Sequence, residues 1–205
     1  MKITSIETLL NEPYSSFLFF QPGNNNQILV AAPHHSPLGI QQLPCDTHPS
    51  SDENTGWIAY HLSQRLNCGC LIAGNYFIDP NKYKTSDYFK RIEMLQPKIL
   101  IEIHGHGSGS ANFDIEISSG SYDKSHLSQQ LANHLQQGFS GNKLLKNYTI
   151  SGDFEEIHFR ATKSLTINTH QWTAFHIELP QRIREDEHQY LQFCDFLKGA
   201  IFKIQ

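Results

Sequence analysis

The sequence predicts an α/β protein with a mostly parallel sheet covered by helices on both faces. Three observations carry this. Short, continuous apolar runs at 27–32, 70–73, 99–103 and 173–179 read as strands buried on both faces. Stretches with apolar residues at helical spacing lie between them. Strands that alternate with helices build parallel sheets with both faces covered. The chain has 205 residues, 39% of them hydrophobic and 18% charged, which suits one globular domain, expected over 1–205.

In chain order, 16–20 reads as an aromatic-rich strand, and Pro22-Gly23 starts the turn after it. The next strand, 27–32, is expected to end at Pro33. Residues 36–51 form a loop without periodicity, and a loop that long in a compact domain is more often functional than not. A helix over about 55–67 carries Ile58, Ala59, Leu62 and Leu66 near one face, with Gly69 beyond its end. A short strand at 70–73 and an irregular loop at 75–86 follow. Ser86 or Asp87 caps a second helix that stops before Pro97. The strongest strand pattern is 99–103. Residues 113–117 alternate as a strand should, and 125–137 places Leu127, Leu131 and Leu135 on one side of a helix. Strands are expected at 148–151 and 173–179. A closing helix over 185–202 buries Tyr190, Leu191, Phe193, Leu197 and Ile201.

Composition also excludes function classes. A net charge of -4 predicts no general attraction to nucleic acid. No apolar run is long enough for a transmembrane helix, and the first residues lack the apolar middle of a signal peptide. The expectation is a cytoplasmic protein that does not engage membranes. Its four cysteines (Cys45, Cys68, Cys70 and Cys194) are then expected to be reduced thiols.

Histidine is the unusual residue, with twelve in the chain. His34 and His104 each follow a buried apolar run, so both are expected at the carboxyl edge of the sheet, where reactive groups gather in α/β folds. Glu53 precedes the helix that follows the His34 strand. Two imidazoles, one carboxylate and a position left for water make a standard catalytic zinc set, so one zinc ion per chain is expected. His35 and His106 are alternatives within their pairs, or substrate contacts. Asp52 is the alternative to Glu53. Glu102, two residues before His104 on the same strand face, is placed to orient an imidazole from behind. Glu178, at the end of the apolar stretch 174–180, is the candidate general base. Arg160 and Arg91 are candidates to clamp a substrate carboxylate, with Asn75, Tyr83 and Lys163 weaker. His48, His61, His126, His134, His158 and His188 read as surface or helix histidines.

These motifs resemble the N-formylglutamate amidohydrolase family and its relatives, the phage poly-γ-glutamate hydrolases and, more distantly, the zinc carboxypeptidases. The shared pattern is Pro33-His34, Glu53-Asn-Thr55-Gly56, Glu102-Ile-His104 and Phe175-His-Ile-Glu178, in order and across most of the chain. The resemblance implies a three-layer α/β/α fold of the zinc-dependent exopeptidase kind. It also implies hydrolysis of an amide next to a carboxylate in a small acidic substrate. It implies His34, Glu53 and His104 as zinc ligands and Glu178 as general base or acid, with Arg160 the best match for a substrate-binding arginine.

Overall fold

The computed structural model describes residues 5–107 and 109–204. Its centre is an eight-stranded mixed sheet. Strands β1 (Phe17–Gln21), β2 (Asn25–Ser36), β4 (Cys68–Gly74), β5 (Ile99–His106), β6 (Ile115–Ser118), β7 (Ile150–Ser151) and β8 (Thr173–Pro180) run in the order β1-β4-β2-β5-β8-β6-β7. The two-residue strand β3 (Asp52–Glu53) pairs with β2 off this path. The central strands β4, β2, β5 and β8 are mutually parallel, and β1 and β6 join antiparallel to β4 and β8. The layers are as the sequence predicts. Helices α2 (Thr55–Leu66), α4 (Ser125–Phe139) and α6 (Glu187–Ile204) cover one face, over a core that includes Val30, Ala32, Ile101, Ile103, Phe175 and Ile177. The other face packs Leu29, Ala31, Leu71, Leu100 and Ala174 under Tyr88 and Ile92 of α3 (Asp87–Leu95), and under Ile167 and Trp172 from the loop before β8.

Local chemistry accounts for the helix ends. Ser86 caps α3 by accepting from the Phe89 N–H. Helix α2 ends on Asn67 in the left-handed conformation, φ 51°. A short α1 (Ile6–Leu10), with Ser5 as its cap, lies in a stretch where no element is expected from the sequence. A short α5 (Gln181–Glu185), not expected from the sequence, follows β8 at once, and the expected closing helix, α6, begins after Asp186. No helix among the described residues is long and apolar enough to cross a membrane. All four cysteines are free and buried.

Two strands run further than expected. β5 continues through His104 to His106, and β2 does not stop at Pro33 but reaches Ser36. The proline is tolerated because the ladder is interrupted there. Between Ala32 and His35 three steps on β2 span two on β4, the signature of one extra residue in β2. This irregularity reverses the side-chain alternation. His35 turns to the α2 face, where its Nδ1 accepts from the Gly56 N–H at 3.1 Å and its Nε2 faces the Leu10 carbonyl at 3.0 Å. His34 turns to the opposite face.

Gly56 has no room for a side chain, because a Cβ there would lie 2.7 Å from the His35 ring. Replacing Gly56 with alanine is therefore expected to destabilise the protein by about 1–3 kcal/mol, a typical cost of overpacking. Urea unfolding measures it. An unchanged midpoint would mean that His35 moves freely and does not pin α2.

Candidate metal centre

The strand pleat assembles the site on the face opposite α2. Glu102 and His104 continue the row of Leu100 on β5. His176 and Glu178 continue the row of Ala174 on β8, and the parallel register sets His104 beside Glu178. The chain leaves β2 toward β4 on one side, and β8 lies on the other side of β5. The β2–β5 boundary is thus a switch point, where open α/β sheets form crevices. His34 and His104 flank it.

The carboxylate between the two imidazoles is Asp52. Its Oδ2 lies 3.3 Å from His34 Nδ1 and 3.1 Å from His104 Nδ1. Glu53, the expected ligand, is one residue further along a strand and so faces away. Its Oε1 accepts from the Gly39 N–H at 2.6 Å, in the loop after β2. Of the two acids, Asp52 is the one that stands between the imidazoles in this structure.

The outer ring nitrogens are braced by carboxylates. His34 Nε2 meets Asp79 Oδ1 at 3.0 Å, and Lys82 Nζ sits 2.5 Å from the other Asp79 oxygen. His104 Nε2 meets Glu102 Oε2 at 3.4 Å, while Tyr88 donates its hydroxyl hydrogen to Glu102 Oε1 at 2.8 Å. Glu102 is thus where an orienting partner of His104 was expected. This is the carboxylate–histidine arrangement that fixes ring orientation around metals, and here both rings have it.

Glu178 and His176 complete the group. His176 Nε2 is 3.4 Å from Glu178 Oε1, and the His176 ring lies 4.0 Å from that of His104. His176 Nδ1 and Glu178 Oε2 are buried without a hydrogen-bond partner among the described residues, which is uncommon and expensive for groups of this kind. His34, Asp52 and His104 offer donor atoms within 4.8 Å of one another, as do His104, His176 and Glu178. Nitrogen and carboxylate donors that converge in this way, braced from behind and with orphaned polar atoms beside them, fit a zinc-like cation.

Burial and partners decide the protonation of the metal-free site. Burial opposes charge on His104, but its bonds to Asp52 and Glu102 outweigh that and hold the ring up to about 10. His34 is likewise raised, by Asp52 and Asp79 against burial. Asp52 is lowered, because bonds to both histidines overcome its desolvation. Burial pushes Glu178 up to about 8, partly offset by His104. Burial also drives His176 well down.

A pH dependence follows. A raised histidine stabilises the folded state fully below 6.5, and that contribution is lost as pH climbs through about 10. A raised carboxyl acts in the same direction, since folding favours a proton that Glu178 sheds between 4.5 and about 8. The metal-free protein is therefore expected to melt at lower temperature as pH rises through the alkaline range. Zinc affinity should climb over the same range, because the ion displaces the imidazole protons. Calorimetry and zinc titration at several pH values test both, and a flat affinity profile would contradict the protonated His34/His104 pair.

A cleft of about 640 Å³ opens above these groups. Arg160 lies in its wall as expected, with its Nη2 donating to the Glu155 carbonyl at 2.9 Å, and Lys82, Lys163 and His158 line the cleft too. His106 is also in the wall, its ring stacked on Phe159 at 5.6 Å. His35 is not, since it is pinned under α2 with burial lowering it to about 4. His48 is no surface histidine: it stacks on His34 at 3.9 Å and lines the cleft. Asp79 and His176 carry no role in the sequence reading, and His48 reads there as a surface or helix histidine. The available signals were the length of the 36–51 loop that carries His48 and the position of His176 on the same strand face as Glu178.

No family model matches the sequence, and no curated protein matches it. Solved structures do. A bacteriophage poly-gamma-glutamate hydrolase superposes with a TM-score of 0.59 at 10% identity, over 97% of this chain and 93% of that one. The chain shares its fold. N-formylglutamate amidohydrolase from Ralstonia eutropha JMP134 matches with a TM-score of 0.56 at 11% identity, over 91% of this chain and 96% of that one. A zinc-free form of YNDL matches at 0.54 and 12% identity, over 96% and 95%. The fold expected from the motifs is therefore the fold observed.

Proposed function

We propose that the chain is a cytoplasmic, zinc-dependent amidohydrolase acting on a small acidic substrate, such as an N-acyl amino acid or a γ-glutamyl peptide. The observation that carries this is the convergence of His34 Nδ1 and His104 Nδ1 on Asp52, beside a buried Glu178 with an unpartnered oxygen. The fold shared with solved amide hydrolases supports the reading.

When bound, the ion supplies Lewis-acid chemistry, acidifying water and polarising an amide carbonyl. The chain's residues do the rest. Glu178 takes a proton from the attacking water as it adds to the carbonyl carbon. It then passes that proton to the nitrogen as the C–N bond breaks, and the second proton of the water goes from the new carboxylic acid to the released amine, leaving a carboxylate and an ammonium. Arg160 and Lys163 at the cleft wall suit a carboxylate on the substrate, and His106 lies beside them. With a net charge of -4, the chain has no surplus of basic residues for nucleic acid, and no membrane partner is invoked.

Metal analysis of the untagged protein tests this, alongside a variant carrying both His34→Ala and His104→Ala. About one zinc per chain, absent from the variant, is the expected result, followed by turnover in a screen of N-acyl and γ-glutamyl amides. No metal in either protein after zinc is supplied would end the hydrolase reading.

A further inference from the structure

We propose that Arg184 is a positioning residue for this centre: its guanidinium clamps together the ends of the three strands that bring Asp52, His104 and Glu178 into one site. The proposal rests on the metal reading above and extends it to a residue that touches neither the donor atoms nor the cleft.

Arg184 lies on α5 and is only 4% exposed. Its Nη1 donates to the Glu53 carbonyl at 2.6 Å, its Nη2 to the His106 carbonyl at 3.4 Å, and its Nε to the Leu179 carbonyl at 3.2 Å. Those carbonyls belong to β3, β5 and β8. Each is one or two residues from Asp52, His104 or Glu178. Asn54, in the left-handed conformation at φ 66°, returns its Nδ2 to the Arg184 carbonyl at 2.6 Å, so the β3–α2 junction is tied twice.

No direct ion pair accounts for this side chain, although its charge acts, against burial, to lower the Glu178 carboxyl. Among the described residues no carboxylate lies within ion-pair distance of it. A buried cation whose partners are neutral carbonyls is costly to desolvate. What it achieves is geometric. The planar fork presents donors in fixed directions and reaches three strands at once, which the point-like ammonium of lysine does not. The backbone leaves space for it at Gly105, between His104 and His106. A Cβ there would lie 2.5 Å from the guanidinium carbon.

Zinc competition titrations on the full chain test the clamp without any substrate. Arg184→Met keeps bulk and removes the donors, and Gly105→Ala keeps the donors and displaces them. Both are expected to weaken zinc binding about 10–100-fold, the usual worth of a partner outside the ligand sphere, with Arg184→Lys in between. Wild-type affinity within about twofold in folded Arg184→Met and Gly105→Ala would overturn the proposal. If neither variant folds, Asn54→Ala carries the test, since it removes one tie. Weaker zinc binding at an unchanged metal-free melting temperature supports the clamp, and unchanged binding overturns it. If wild-type protein binds no zinc, the metal reading itself fails and the clamp with it, an outcome distinct from equal binding by wild type and variants.

Discussion

Replacing Asp52 with asparagine abolishes zinc binding, whereas replacing Glu53 with glutamine leaves it intact. That contrast is the expected result of paired titrations, and it separates two adjacent acids that the sequence alone leaves as alternatives. Asp52 Oδ2 lies near both His34 Nδ1 and His104 Nδ1, at 3.3 and 3.1 Å. An amide has nearly the same shape but neither the charge nor the basicity that a hard cation draws on. The loss should exceed the roughly 10–100-fold attributed to residues outside the ligand sphere. Glu53→Gln disturbs something else. The Glu53 carboxylate accepts from Gly39 at 2.6 Å, and a neutral amide oxygen takes over much of that bond. The cost is expected to appear as about 1 kcal/mol of stability rather than as metal. Zinc retained by Asp52→Asn and lost by Glu53→Gln would mean that the β3 register observed here does not describe the metal-bound protein.

That pair also shows what was legible in the sequence. The apolar runs identify the central strands because a buried parallel strand has to be apolar on both faces, and a histidine or acid directly after such a run has to sit at the sheet edge. His34 and His104 are placed at the edge on that logic, Glu102 by its two-residue spacing from His104, and Glu178 by its position near the end of the last apolar stretch. What decides Asp52 over Glu53 is the pairing of β3 with β2, His35 opposite Asp52 and Ser36 opposite Glu53. A two-residue strand has no periodicity of its own to read. The choice between His34 and His35 turns on the irregularity after Ala32, which shifts one register step and so exchanges the faces of everything beyond it. Asp79, His48 and Arg184 were hidden for a different reason. They arrive from loops and from α5: Asp79 meets His34 across 45 residues, Arg184 reaches Glu53 across 131, and His48 lies in the irregular chain between β2 and β3, where no spacing rule applies.

The second large effect concerns the proton rather than the metal. Glu178→Gln should lower kcat by about 10²–10⁴-fold on any amide the protein hydrolyses, the range expected for removing a general base, while zinc content stays at the wild-type level. The two halves of that result come from different atoms. Zinc retention is expected because His34, Asp52 and His104 are carried by β2, β3 and β5, and the glutamine amide fits the volume beside His176 that the carboxyl occupies, where Oε1 lies 3.4 Å from Nε2. The kinetic loss is expected because Oε2 has no partner among the described residues, and an amide nitrogen or oxygen at that position accepts no proton near neutral pH. In the metal-free protein burial pushes the Glu178 carboxyl up to about 8, partly offset by His104. KM should change little if Glu178 acts on water and not on the substrate carboxylate, which falls to the Arg160 side of the cleft. A folded, zinc-loaded Glu178→Gln protein with full turnover would remove Glu178 from the chemistry. His176, the neighbouring buried group with an unpartnered atom, would then be the next base to test.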